Sequence, residues 1–293
     1  MARRRVIARG TETKGSRGGG KRRYIGTQPK GDAEIPGKNM RSIYLAALLA
    51  AFIAPQAQAS SAQILVLSPG FVYNAGLLDL AAAYTKETGV QVTVKLENMG
   101  KIVNDINTVT PAPDVVVLPM EPFDFMGTLA LNQGIQEGSF KPLGRVEIGL
   151  AVKAGAPHPD ISTVEKLAAA LRGANAVVYS NPATGSMEAG IIDRLLKQPQ
   201  FSGVHGVISR KGEGGQALAR GQGDMALQLV CEIYPHPEIS EVGPLPSELN
   251  AHIDGAVAVS ARSAHPADAE AFIRYITRPE ATAAWKAKGL ERF

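Results

Sequence analysis

The chain predicts an α/β fold with mostly parallel sheets, and three observations predict it. Beyond residue 62, short β-branched runs alternate with segments of helical period along almost the whole length. Several of those runs end in loops of Gly, Ser, Thr and Asn that lead directly into a helix. The residues after position 59 number 234, enough for one large domain or two smaller ones. Strands joined through helices are βαβ units, whose sheets are covered on both faces.

The elements follow in order. Residues 63–67 form a β-branched strand, and residues 75–88 carry a helical period (Leu77, Leu80, Ala81, Tyr84) that stops at Gly89. Residues 90–96 alternate as a strand, 101–109 are amphipathic through Ile102, Ile106 and Val109, and 114–118 are an apolar strand. Residues 145–153 read as a strand, then 163–171 as a helix with Ser162 as its cap, 176–179 as a strand and 186–197 as a helix. The remainder is a helix at 216–220, strands at 225–230 and 256–259, and helices at 266–277 and 281–288.

In such folds ligands sit beyond the carboxyl ends of strands, against helix N-termini whose free N–H groups favour anions. Four loops have that chemistry: 68–70, 97–101, 180–186 and 212–216. Each alone reads as an ordinary turn with a helix cap; four together point to a shared anion pocket.

Composition then restricts the setting. Residues 40–62 read MRSIYLAALLAAFIAPQAQASSA, with Arg41, an apolar run of about eleven residues and the small-residue box Ala57-Gln58-Ala59. This is the pattern of a secretory signal cleaved after Ala59, too short to span a membrane. It predicts a periplasmic mature protein starting at Ser60, translation from Met40, and residues 1–39 as a disordered basic leader added by an early start. The whole chain has 31 Lys/Arg against 27 Asp/Glu, a net +4. The first 59 residues hold 12 basic and 3 acidic residues, so the remainder is acidic by 5. That removes the electrostatic case for nucleic acid or anionic membrane as partners, and no second apolar run predicts membrane insertion. The one cysteine, Cys231, lies in an apolar run, forms no intramolecular disulfide and reads as a buried thiol. His205, His236, His252 and His265 show no metal spacing and read as surface residues; no metal or cofactor is expected.

The motifs themselves carry a resemblance. LLDLAAAYTKETGVQVTV at 77–94, Asn98-Met99-Gly100, Pro113-Asp114-Val115-Val116, YSNPATG at 179–185, QALARG at 216–221 and the tail 268–289 are similar, in order and spacing, to the periplasmic molybdate-binding proteins. These are type II solute-binding proteins of ABC transporters, and the related periplasmic aconitate isomerase belongs to the same group. The resemblance implies a monomeric two-lobed periplasmic binding protein type II fold, hinged at two crossing strands. It places lobe one at 63–149 plus 253–293 and lobe two at 150–252, with crossings at 149–153 and 255–260; Trp285 would pack lobe one.

The same resemblance implies a ligand set: Ser68, Gly70, Tyr73, Asn98, Met99, Lys101, Thr184, Gly185, Ser186, Gly215 and Gln228. Two loops depart from the molybdate pattern. Ser68 is followed by Pro69-Gly70-Phe71, and the second loop reads Asn98-Met99-Gly100 where the family has Ser-Ser-Gly. Those differences fit a larger anion, such as an organic di- or tricarboxylate, with Lys101 or Arg210 as charge partner. Tyr73 reads equally as a ligand stack or as packing, Lys101 as a ligand cation or a solvated lysine, Ser186 as a cap that can also touch ligand, and Glu232 as a rim charge or a site carboxylate. Two functions follow. One is a carrier that hands a small anion to an ABC permease. The other is an isomerase of aconitate that moves an allylic proton, with Glu232, Tyr73 or Lys101 as the catalytic group.

Overall fold

The computed structural model describes residues 63–120 and 134–293; the predicted leader, secretion signal and cleavage point lie outside them. The organising element is a 13-residue strand, Lys141–Lys153 (β4), which takes part in two sheets. It is preceded by Gln63–Ser68 (β1), Gln91–Leu96 (β2) and Val115–Pro119 (β3). It is followed by Val177–Tyr179 (β5), Gly206–Ile208 (β6), Met225–Leu229 (β7), Ile239–Pro244 (β8), His252–Val259 (β9) and Leu290–Glu291 (β10). The ladder runs β2-β1-β3-β9-β4-β7-β5-β6, with β8 and β10 also paired to β4.

The first half of β4, through Glu147, pairs with β9 and β10; from Ile148 onward it pairs with β7 and β8. The chain returns between β8 and β9 at the same level. Ile148 N donates to Ala251 O at 2.8 Å, and Leu245 N donates to Ile148 O at 2.9 Å. Gly149 sits where these strands are closest, since a Cβ there would lie 2.9 Å from Gly243 O and from Val230 Cγ1. The crossing therefore falls at Glu147/Ile148 and 245–251, whereas residues 255–259 lie within β9 in the first sheet.

Parallel pairing occurs where helices make the crossovers: β1 with β2 and β3, and β5 with β6 and β7. The pairs built on β4 and β9 are antiparallel, so each sheet is mixed rather than mostly parallel. A strand that threads both sheets needs no helical return, and short returns impose antiparallel neighbours.

Helices cover the sheets. After a first turn at Gly70–Val72 (α1) and a π-helical turn at Tyr73–Leu77 come Leu78–Thr88 (α2) and Met99–Thr108 (α3). Then follow Val164–Gly173 (α4), Met187–Leu196 (α5), Gly214–Ala219 (α6), Val230–Ile233 (α7), Pro266–Thr277 (α8) and Thr282–Lys286 (α9). Strand β3 shows how both faces are used. Val116 and Leu118 pack with Ile102 and Ile106 of α3, while Val115 and Val117 face the main core with Phe272 and Trp285. Trp285 is fully buried and donates through Nε1 to Ile276 O at 2.8 Å.

Three short strands escape the sequence reading: β6, β8 and β10. Exposed or half-buried residues dominate β6 and β8, which gives them no continuous apolar run. The cap of α4 is Thr163, whose side chain accepts from Lys166 N, not Ser162, whose own N–H is turned to Asp160. No helix among the described residues is long and apolar enough to cross a membrane.

Candidate functional site

A cleft of about 590 Å³ opens where the carboxyl ends of β1, β2, β5 and β7 meet the starts of α3 and α5. Two of the four predicted loops build it most directly. Asn98 caps α3, its side chain accepting from Lys101 N at 2.9 Å. Ser186 caps α5, its hydroxyl accepting from Ala189 N at 3.3 Å. Both helices are ten residues long and direct their positive ends toward the cleft. Asn181 and Thr184 close the short turn between β5 and α5 through Ala183 N to Asn181 Oδ1 at 3.0 Å and Thr184 Oγ1 to Asn181 O at 2.7 Å.

Of the residues singled out above, Gly70, Asn98, Met99, Thr184, Gly185, Ser186 and Glu232 line the cleft. Five do not. Ser68 is fully buried with its hydroxyl donating to Pro69 O at 3.0 Å. Tyr73 opens the π-helical turn and is absent from the lining. Lys101 turns along its own helix to pair with Asp105, and lies 3.5 Å from Glu97 at the cleft rim, so its charge is already matched by two carboxylates. The hydrogen bond with Asp105 is the main cause that holds its ammonium pKa above the usual value. Gly215 and Gln228 lie beneath the cleft floor. Arg210, the other proposed charge partner, is exposed and away from the lining.

Gln228 holds the floor together. Its carbonyl oxygen accepts from Gly215 N at 3.2 Å, and its amide donates to Glu232. The backbone donor at Gly215 fixes which end of the amide faces Glu232. Gly214, just before, donates to Ser180 Oγ at 3.3 Å; a Cβ at Gly214 would lie 2.8 Å from Tyr179 Cα, so no larger residue fits this approach.

The feature that sequence reasoning missed is the pair of glutamates that joins Glu232. Glu188, Glu213 and Glu232 all line the cleft, joined at its rim by Glu97. No Lys, Arg or His lines it among the described residues. Glu232 receives Asn74 Nδ2 at 3.3 Å from the opposite wall as well as the Gln228 amide. Burial, and then the nearby Glu213 charge, push its carboxyl up to about 8. Glu188 is pushed well above the ordinary range by burial first and then by Glu232 and Glu213; Glu213 is raised by burial. Glu188 and Glu213 stand at helix starts in the sequence, where acidic residues are common, so nothing local separated them from ordinary caps. The three do not form a metal-binding group, and none occurs among the described residues. Cys231 is buried, with its thiol 3.5 Å from Phe71 O and its pKa raised by burial.

This arrangement is that of a type II periplasmic-binding-protein fold, with a cleft between two sheets. The chain belongs to the bacterial extracellular solute-binding protein family, whose pattern it matches over residues 66–291. It is 29% identical over 256 residues to a Pseudomonas aconitate isomerase, covering 85% of this chain and 95% of that protein. Among solved structures it resembles the substrate-binding domain of a provisionally named molybdenum ABC transporter from Clostridium difficile, with a TM-score of 0.65 at 14% identity over 80% of this chain and 100% of that one. It also resembles the periplasmic molybdate-binding protein of Azotobacter vinelandii, with a TM-score of 0.56 at 20% identity over 78% of this chain and 98% of that one.

Proposed function

We propose that this protein captures a small organic di- or tricarboxylate in the cleft, in the periplasm, for delivery to an ABC importer. The observation that carries this reading is the composition of the lining. Two helix N-termini and the side-chain amides of Asn98 and Asn181, whose oxygens face their own helix turns, suit carboxylate oxygens. Phe71, Leu96, Met99, Met187, Leu229 and Ile253 supply an apolar surface that a bare tetrahedral oxyanion would not use, whereas a carbon skeleton would. A cleft of about 590 Å³ also exceeds what one small oxyanion fills. In this reading residues 63–149 plus 253–293 and residues 150–252 act as two lobes that close on the ligand. The test is a thermal-melt panel of di- and tricarboxylates beside molybdate and sulfate. Stabilisation by a carboxylate supports the reading; stabilisation by oxyanions alone, or by nothing, refutes it.

A second reading has its own support. Glu232, raised to about 8, stands beside Asn74 in the cleft and can both take and return a proton near neutrality. With the 29% relative, this favours interconversion of cis- and trans-aconitate: Glu232 takes the allylic proton at one carbon and returns it at the other. Tyr73 and Lys101, which do not line the cleft, leave Glu232 as the favoured base. Ultraviolet absorbance of protein mixed with cis-aconitate tests it, and an unchanging spectrum eliminates it.

A further inference from the structure

The carboxylate reading leaves a problem of charge. An anion would enter a cleft lined by four glutamates and, among the described residues, by no cation. We propose that the cleft accepts its carboxylate only with protons on Glu188 and Glu232, whose acid O–H groups then serve as hydrogen-bond donors to it. This inference rests on the carboxylate reading and concerns the regulation of the same site.

The placement of the two carboxyl groups argues for it. Ser180 has one hydroxyl proton, yet its oxygen lies 3.3 and 3.4 Å from the two oxygens of Glu188 and 3.4 Å from Gln228 Oε1. Gln228 cannot turn its amide to help, because Gly215 N–H holds its oxygen and its NH₂ serves Glu232. Ser186 likewise has one proton for Glu188 Oε2 at 3.4 Å. Among the described residues Glu188 therefore receives only two hydroxyl donors, both at the long end of hydrogen-bond range, and no cation or backbone N–H that would hold it as an anion. Glu188 and Glu232 are only 4% and 7% exposed, so ionised carboxylates there would lack water, and among the described residues no cation lines the cleft beside them. A protonated acid facing a ligand carboxylate makes a short charge-assisted bond, which turns the repulsion into recognition.

The other titratable groups that face this pair are Glu213, the Cys231 thiol and, at the rim, Glu97 with its Lys101 partner. None supplies an unmatched positive charge. The raised pKa values of Glu188, Glu213 and Glu232 agree with this picture.

The experiment is titration calorimetry of the full chain with trans-aconitate and with citrate at pH 7, 8 and 9, in two buffers of different ionisation enthalpy. With Glu232 near 8, affinity is expected to fall about tenfold from pH 7 to 9, with net proton uptake rising toward one per ligand at pH 9. Glu232→Gln keeps a donor but cannot titrate; whatever its affinity at pH 7, its pH slope and proton uptake are expected to shrink, and Glu188→Gln is the parallel variant. Binding whose affinity and heats ignore pH and buffer overturns this inference and leaves the carboxylate reading standing. No heat from either ligand or from other di- and tricarboxylates at any pH overturns the carboxylate reading itself, and this inference with it. The proton count on the unmodified protein decides the matter even where a variant fails to fold.

Discussion

Two buried carboxylates, one in each half of the molecule, are built to opposite ends. Asp114 enters β3 with 3% exposure and accepts from Leu65 N at 2.8 Å, Ser263 Oγ at 2.6 Å and His265 N at 3.3 Å. It thereby ties β1, β3 and the start of α8 into one joint. Glu232, with 7% exposure, receives only two side-chain amides, from Asn74 and Gln228. A third carboxylate, Asp224, makes the comparison within the second sheet. Burial would raise it, but the backbones of Ala176 and Asn175 and the Asn175 side chain all donate to it, and its pKa ends below the usual value. Burial and N–H donors together decide the outcome: Asp224 is half-buried and meets three donors, two of them backbone N–H groups, whereas Glu232 is buried and meets only two side-chain amides.

The largest effect expected from breaking this contrast is at Asp114. Asp114→Ala leaves the Leu65 and His265 N–H groups without their partner and should cost about 3 kcal/mol in denaturant unfolding, while ligand affinity of the folded protein stays near its original value. A larger loss of affinity than of stability would mean that the joint reaches the cleft.

Next comes Glu232, where the sign depends on pH. Its folded pKa of about 8 lies above the ordinary 4.5, so between those values the folded protein holds more protons than the unfolded chain. Stability should be greatest below the lower value, fall as pH rises through the window and level off above about 8. Glu232→Gln should flatten part of that fall and, at pH 9, be more stable than the unmodified chain by about 2 kcal/mol. Melting temperatures between pH 5 and 9 measure it; parallel curves for the two proteins would refute the assignment. Asp224 should show the opposite sign, its contribution present in neutral solution and lost in acid.

A smaller effect belongs to the first wall. Asn98→Ala removes the cap of α3 and should cost about 1 kcal/mol, together with a weaker response to carboxylates in the melt panel. The smallest is at Lys101. Its partners are Asp105 within the same helix and Glu97 just before it, and its side chain is 47% exposed. Lys101→Met should leave both stability and carboxylate affinity nearly unchanged. A tenfold loss of affinity would restore Lys101 as a ligand cation.

Much of this fold was legible in the residues. The apolar runs of β1, β3 and β7 and the helical periods of α2, α3 and α8 announced themselves, because two-sided burial writes a long, simple pattern. The edge strands β6 and β8 did not, since half-exposed segments carry no such pattern. The loops at 97–101 and 180–186 were recognisable as helix caps, and both reach the cleft. Reach was harder. Ser68, Gly215 and Gln228 have the right chemistry and the right neighbourhood, but backbone direction turns them under the floor. Glu188 and Glu213 went unnoticed because an acidic residue at a helix start is ordinary until three of them converge from separate segments.

The sequence by itself determined the α/β architecture, the cap residues of the helices that flank the cleft and the lack of metal-ligand spacing, since each follows from local periodicity or from the kinds of residue present. Only the tertiary structure decided that β4 threads both sheets, that Lys101 spends its charge on its own helix, and that Glu188, Glu213 and Glu232 share one cation-poor cleft. The physical reason is range. Helix caps and apolar periods act over a few residues, whereas the ionisation of a carboxylate depends on whatever long-range packing sets beside it, and here packing brings residues 74, 188, 213 and 232 to one place.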